Sequence, residues 1–220
     1  MNFDLDADEL ALQQGIREVC RRFPLGRIRA VEDRGGVDRQ MWTDLARAGV
    51  FSLRLDESDG GLGLGTTAAA LVFEELGRAL IPGPLIATHV SSGLVPGAAE
   101  GDRVVGFAAR AGDAFVIGYL EALDDVLLLD HEGVWRVDPA SVAAEPVSRP
   151  LDPLAPAHVA RDIPRGENLA LHRVAARWRM LGNVLAAAQL VGIAAAVTDL
   201  SVAYAKERRQ FDRPIGSFQA

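Results

Sequence analysis

From His172 to Arg213 the chain contains no proline and is dominated by Ala, Val and Leu. An interior proline costs a helix about 3 kcal/mol, so this uninterrupted run predicts one helix of roughly 35 to 40 residues, spanning about 172–211. A helix of that length exceeds what a small domain usually houses, and it suits an oligomer-forming bundle. The run closes on Tyr204 to Gln219, which reads Y-A-K-E-R-R-Q-F-D-R-P-I-G-S-F-Q. On a continuous helix Tyr204, Arg208 and Phe211 fall at i, i+4 and i+7 and share a face. Pro214 is the expected stop, with a turn at Ile215 and Phe218 and Gln219 beyond it. A plainer account makes Lys206, Arg208 and Arg209 the basic last turn that complements the helix dipole.

The whole string resembles the acyl-CoA dehydrogenase signature Y-x3-R-x2-F-G-x-P-I-x3-Q at every position but one. The resemblance implies that Arg208, Phe211 and Gln219 hold the ADP half of FAD across a subunit interface. A planar guanidinium suits that role because it pairs bidentately with pyrophosphate oxygens. The departure is Asp212, where the family has glycine, the residue suited to left-handed backbone. The resemblance continues in Glu57, Gly60, Gly61 and Gly63 and in Glu74-Glu75-Leu76-Gly77. It implies an α+β, mainly α fold with a helical domain over 1–100, a small β domain over 101–165 and the first helix of a C-terminal helical bundle over 166–220.

Residues 1 to about 98 read as helices. Leu10, Ile16 with Val19, and Phe23 recur at helical spacing up to Pro24. Met41–Val50 forms a second helix, with Leu45 and Ala46 inward and Gly49 as its stop. Thr66–Leu80 forms a third, with Thr66 or Thr67 as N-cap. The intervening Gly61-Leu-Gly63-Leu-Gly65 is not a dinucleotide fingerprint: the sixth position is Thr66, and no strand–helix–strand unit follows. A close-packed loop is expected there.

From about 102 to 164 the period shortens. Val104–Ala108, Phe115–Tyr119, Val126–Asp130 and Val134–Val137 read as strands of a small antiparallel sheet, with His131-Glu132-Gly133 as a hairpin loop. A further strand opens at Leu151-Asp152-Pro153 and ends near Val159. Flavin-binding members of the family carry T-E-P-x-x-G-S-D and then K-x-W-I-[TS] here, and this sequence has neither motif. Tyr119 and Trp135 read as packing residues rather than substitutes. Upstream on the long helix the family's D-x-[EG]-R falls on Met180-Leu181-Gly182-Asn183. The resemblance therefore places the catalytic glutamate beyond Ala220 and assigns no catalytic residue within 1–220.

A net charge of −7 argues against a nucleic-acid surface. Cys20, the single cysteine, precludes an internal disulfide, fits a reducing cytosol and reads as a packed helix residue. The acidic N-terminus lacks the pattern of a signal peptide, and the apolar run Val184–Val197, broken by Gln189, is too short to span a bilayer, so a cytoplasmic location is expected. All but one of the 23 Lys and Arg residues are arginine, a bias expected of a bacterial genome rich in GC. His89, His131, His158 and His172 show no metal-ligand spacing. Asp4, Asp6 and Asp8, and the pair Asp124-Asp125, read as solvated charge.

Three functions follow from the resemblance. One is an acyl-CoA dehydrogenase, homomeric and truncated here, that forms a 2,3-enoyl thioester from an acyl-CoA and passes electrons to an electron-transfer flavoprotein. The second is a non-catalytic subunit that completes a partner's FAD site in a dimer or tetramer. The third is a related flavin oxidase or monooxygenase.

Overall fold

The computed structural model describes residues 4–31, 36–152 and 154–218. Helix α1 (Ala7–Cys20) opens on a capping box: the Asp6 carboxylate accepts the N–H groups of Asp8 and Glu9, and Glu9 accepts the N–H of Asp6. Asp6 is therefore a helix cap, not the solvated charge expected. Short α2 (Leu25–Arg29) follows Pro24. Helix α3 (Arg39–Arg47) is capped by Asp38 and buries Met41, Trp42, Leu45 and Ala46. Gly49 ends that segment at φ 79. Leu10, expected inward on α1, is exposed, whereas Ile16, Cys20 and Phe23 are buried.

The glycine loop is close-packed, as expected. Gly60 and Gly63 have positive φ, and a Cβ on Gly61 would stand 2.1 Å from the Leu55 carbonyl oxygen. The loop delivers α4 (Thr66–Arg78), whose N-cap is Gly65 with no side-chain cap, so neither Thr66 nor Thr67 plays the expected part. On α4, Glu75 is buried and takes both Nε and Nη2 of Arg17 at 3.0 and 2.6 Å, tying α4 to α1. Short α5 (Leu85–Ser91) leads into the sheet, where Thr88 Oγ1 accepts the N–H of Val105 and donates to its carbonyl.

The sheet comprises β1 (Val105–Ala111), β2 (Ala114–Gly118), β3 (Asp125–Leu129), β4 (Gly133–Val137), β5 (Ala144–Pro146), β6 (Ala157–Ala160) and β7 (Glu167–Leu171), in the order β5-β6-β2-β1-β3-β4-β7. It is mixed rather than antiparallel, because β1 pairs parallel with β3. β7 lies past the expected end at 164 and pairs with β4. The expected opening of β6 at Leu151-Asp152-Pro153 does not form: Leu151 and Asp152 lie in a bend, and Pro153 is outside the described residues. Asp125, the first residue of β3, is buried and receives Nε of Arg103 at 2.5 Å and Nε of Arg136 at 2.6 Å. Asp124 accepts from Arg39 and from the N–H of Val104. Both acids are structural partners, contrary to the reading of this pair as solvated charge.

α6 (His172–Glu207) is a single helix of 36 residues. Its buried stripe is narrow: Ala175, Trp178, Leu181, Leu185 and Gly192. It crosses α4 glycine on backbone. A Cβ on Gly192 would stand 1.9 Å from the Glu74 carbonyl oxygen, and one on Gly77 would stand 2.2 Å from that of Gln189. Arg78 on α4 also reaches Asp199 of α6 at 2.7 Å. Much of the remaining surface is apolar and exposed, including Met180, Leu190, Val191, Val197 and Leu200. By length and composition α6 is apolar enough to cross a bilayer, which corrects the reading of its apolar run as too short.

Candidate functional site

The signature at the end of α6 is not a helical face. The helix stops at Glu207, and Arg208 is its C-cap, already extended at ψ 121. A hairpin follows, β8 (Arg209–Gln210) against β9 (Arg213–Pro214), with Arg209 opposite Pro214 and Gln210 opposite Arg213. Its two turn residues, Phe211 and Asp212, sit at φ 49 and 62. Two successive left-handed residues make a two-residue hairpin turn and cannot continue a helix, so the expected helix over 172–211 ends four residues early. Pro214 therefore belongs to β9 and is not the helix stop. Asp212 does occupy a left-handed position, the conformation glycine favours.

The hairpin presents groups free to meet a ligand. Among the described residues the Arg208 guanidinium makes no hydrogen bond or ion pair, while its backbone anchors the hairpin through Ile215 N–H to Arg208 O at 2.8 Å. Phe211 is 86% exposed and touches Phe218 edge-on, with ring centroids 6.1 Å apart. Arg213 lies over the Phe218 ring at 4.0 Å. Arg209, by contrast, donates to the Asp212 carbonyl at 3.2 Å and helps close the turn. A guanidinium unpaired among the described residues, next to a hairpin turn that exposes the Phe211 ring, fits the pyrophosphate and adenine of a dinucleotide. Gln219, the third expected ligand, lies outside the described residues.

β1 turns into β2 through Gly112 and Asp113 alone, and Tyr119 is the one hydroxyl side chain between Val104 and Leu129. Burial raises the pKa of that hydroxyl, with the Gly83 backbone acting in the opposite direction. Trp135 donates its indole N–H to Asp130 at 3.1 Å and carries Arg165 on its ring at 4.9 Å. Both aromatics are packing residues, as the sequence suggested.

What the sequence did not indicate is a cleft between the sheet and α6. Two adjoining cavities, about 460 and about 800 Å³, share Arg110 on β1, Leu129 on β3 and Arg179 on α6. The smaller runs in beside Phe107, Trp178 and Gly182; the larger opens toward Asp130 and Arg165. The three shared residues come from separate elements and carry no motif, but Gly182 and Asn183 of the smaller cavity fall at the position of the family's D-x-[EG]-R. Burial works against ionisation of Asp130, yet the N–H groups of Gly133 and Glu132, the Trp135 indole and Arg165 together hold its carboxyl well below the usual range.

Two other groups are inert by burial. The Cys20 thiol is pushed up to about 12 by burial, with Glu75 adding to the effect, as befits a packed residue. His89 is buried, donates Nδ1–H to the Val50 carbonyl at 2.7 Å, and has its pKa lowered to about 4 by burial. Among the described residues no group of three or more metal-ligating side chains occurs.

Residues 6–101 match the family described as acyl-CoA dehydrogenase, N-terminal domain, and residues 173–220 match acyl-CoA dehydrogenase, C-terminal domain. Acyl-CoA dehydrogenase IpdE2 of Mycolicibacterium smegmatis is 33% identical over 199 residues, covering 87% of this chain and 61% of that protein. The chain thus spans about three fifths of the length of this relative. A variant of the Tcur3481-Tcur3483 steroid ACAD superposes with a TM-score of 0.78 at 26% identity, covering 96% of this chain and 70% of that one. The ChsE4-ChsE5 complex from Mycobacterium tuberculosis shares the fold, with a TM-score of 0.79 at 22% identity, over 100% of this chain and 72% of that one.

Proposed function

The chain belongs to the acyl-CoA dehydrogenase family, and we propose that within it this chain is a subunit that completes a partner's FAD site rather than carrying a flavin of its own. One contrast supports the reading. Among the described residues the hairpin after α6 leaves Arg208 unpaired and Phe211 exposed, while the β1–β2 segment has no hydroxyl side chain and only a two-residue turn. Contacts that serve a neighbour are kept and those that serve the chain's own flavin are lost. The similar steroid ACAD is itself named by a pair of components, and the broad apolar face of α6 suits packing against further helices. The reaction of the assembled enzyme is dehydrogenation of a saturated acyl-CoA to the 2,3-enoyl thioester, with an electron-transfer flavoprotein as acceptor. FAD, when bound, supplies the two-electron acceptor; this chain contributes binding through Arg208, Phe211 and Gln219.

The test is FAD titration into the chain alone and into its complex with co-expressed acyl-CoA dehydrogenase subunits from neighbouring genes. Alone, the chain is expected to be colourless. In the complex, Arg208→Ala removes a charge-assisted contact from an interface and weakens FAD by about 2–4 kcal/mol, roughly 30- to 1000-fold. Gln219→Ala costs less, since a neutral hydrogen bond is worth about half as much. Arg209→Ala costs least, because that guanidinium is spent within the turn. Stoichiometric FAD on the isolated chain, or equal effects at Arg208 and Arg209, overturns the reading and favours an intact dehydrogenase.

A further inference from the structure

Loop 51–55 and α6 both pack on α5. The Val50 carbonyl accepts His89 Nδ1–H at 2.7 Å, and a Cβ on Gly93, just past α5, would stand 3.1 Å from the Leu55 side chain. Ile86 of α5 in turn approaches Gly182 of α6. Arg54 lies in this seam. It is half-buried, and its Nε is shut off from solvent without a hydrogen-bond partner. His89, 2% exposed, likewise has a buried and unpartnered Nε2. Its pKa is lowered by burial and, to a smaller degree, by Arg54. Among the described residues the Arg54 guanidinium makes no hydrogen bond or ion pair, not even with Asp56 or Glu57, the acids next to it in sequence. The charge it does meet has its own sign: burial lowers the Arg54 pKa, and Arg177 on α6 lowers it further. Arg177 is exposed and also forms no ion pair among the described residues. Elsewhere in this chain, guanidiniums beside the packed interior find an acid: Arg17 with Glu75, Arg27 with Asp38, Arg103 with Asp125.

We propose that Arg54 and Arg177 form a clamp for a doubly charged oxyanion of the phosphate class, seated in the seam between loop 51–55 and α6 beside His89. Two like charges, one of them partly desolvated, repel each other unless an anion lies between them. Each planar guanidinium offers a fork of donors that matches two phosphate oxygens, and two cations suit a dianion better than a monoanion. The clamp is separate from the cleft at the sheet. That cleft is lined by Arg179 and not by Arg177, and two residues on a helix point about 200° apart. It is separate from the partner-flavin reading as well, because it uses neither the hairpin nor a flavin, so the failure of either leaves the other intact.

Calorimetric titration of the chain with inorganic phosphate, glycerol phosphate and acetate tests it, together with urea unfolding in phosphate and in chloride at matched ionic strength. Phosphate is expected to bind at least about tenfold more tightly than acetate and to raise the urea midpoint, since it binds only the folded chain. Arg54→Gln and Arg177→Gln each weaken phosphate by about ten- to hundredfold, as expected for loss of one charge-assisted contact. In chloride, Arg54→Gln raises the midpoint, because it removes an uncompensated charge from a half-buried position; an arginine kept for its packing would lower it. Arg161→Gln, exposed after β6, changes neither binding nor midpoint. Glycerol phosphate binding as tightly as inorganic phosphate supports the clamp and makes an esterified phosphate its ligand; binding of inorganic phosphate alone supports it and makes the free ion its ligand. Acetate binding as tightly as phosphate, indifference to either arginine variant, or no heat at millimolar phosphate overturns the proposal. So does a lowered midpoint for Arg54→Gln in chloride, which would make that arginine a packing residue.

Discussion

Replacing Gly192 by alanine, and Gly182 by alanine ten residues earlier on the same helix, should change stability in opposite directions. At both positions alanine improves intrinsic helix propensity by about 1 kcal/mol. At Gly182 little opposes this gain, because the new Cβ meets only the Ile86 side chain at 3.6 Å. At Gly192 the Cβ would stand 1.9 Å from the Glu74 carbonyl oxygen and 2.8 Å from the Arg78 nitrogen, both backbone atoms of α4. A carbon–oxygen contact needs about 3.3 Å, so α4 and α6 must part by more than about 1 Å. A gap of that size forfeits about half of each dispersion contact along the crossing, and overpacking of this kind costs about 3 kcal/mol. Net of propensity, Gly192→Ala loses about 2 kcal/mol and Gly182→Ala gains up to about 1. With a urea m-value of about 2 kcal/mol/M, the midpoints move down by about 1 M and up by about 0.5 M. Urea unfolding followed at 222 nm reads both, with Gly15→Ala, whose Cβ meets nothing within 4 Å, as a second propensity control. If Gly192→Ala stabilises as Gly182→Ala does, the close crossing is not what holds α6 to α4.

Asp212→Gly relaxes a left-handed residue at φ 62 and should stabilise the hairpin by about 0.5–1 kcal/mol. Slower amide exchange across the Gln210–Arg213 pair checks this, and unchanged exchange contradicts it. Burial lowers the His89 pKa from 6.5 to about 4, so between those values the unfolded chain binds a proton that the folded chain does not. Stability is therefore full above about pH 6.5 and falls by about 3 kcal/mol as the pH drops to 4. Urea midpoints across that window should slope for the wild type and lose most of that slope in His89→Gln. The exposed apolar surface of α6, including Met180, Leu190 and Leu200, predicts that the isolated chain self-associates. A sharp monomer in sedimentation velocity is the contrary result.

The sequence by itself determined the long helix, because a run of residues without proline, rich in alanine and leucine, has few other low-energy conformations. It also determined the strands β1 to β4, whose β-branched residues sit between turn residues, and the family, because Tyr204 to Gln219 is a contiguous string. It could not place the end of that helix. Helical spacing put Arg208 and Phe211 on one face, whereas Phe211 and Asp212 adopt left-handed backbone that closes a hairpin and turns Arg208 into a cap. Local pattern reads propensity, and the hairpin is settled by pairing between Gln210 and Arg213 and by the Ile215 bond to Arg208. Likewise Asp124 and Asp125 look like surface charge until Arg39, Arg103 and Arg136 arrive from distant parts of the chain. Gly77 is visible as a motif position, but its reason is Gln189 of another helix. The cleft is marked in sequence only at Gly182 and Asn183, a family motif position, since only the packing of α6 on the sheet brings Arg110, Leu129 and Arg179 together.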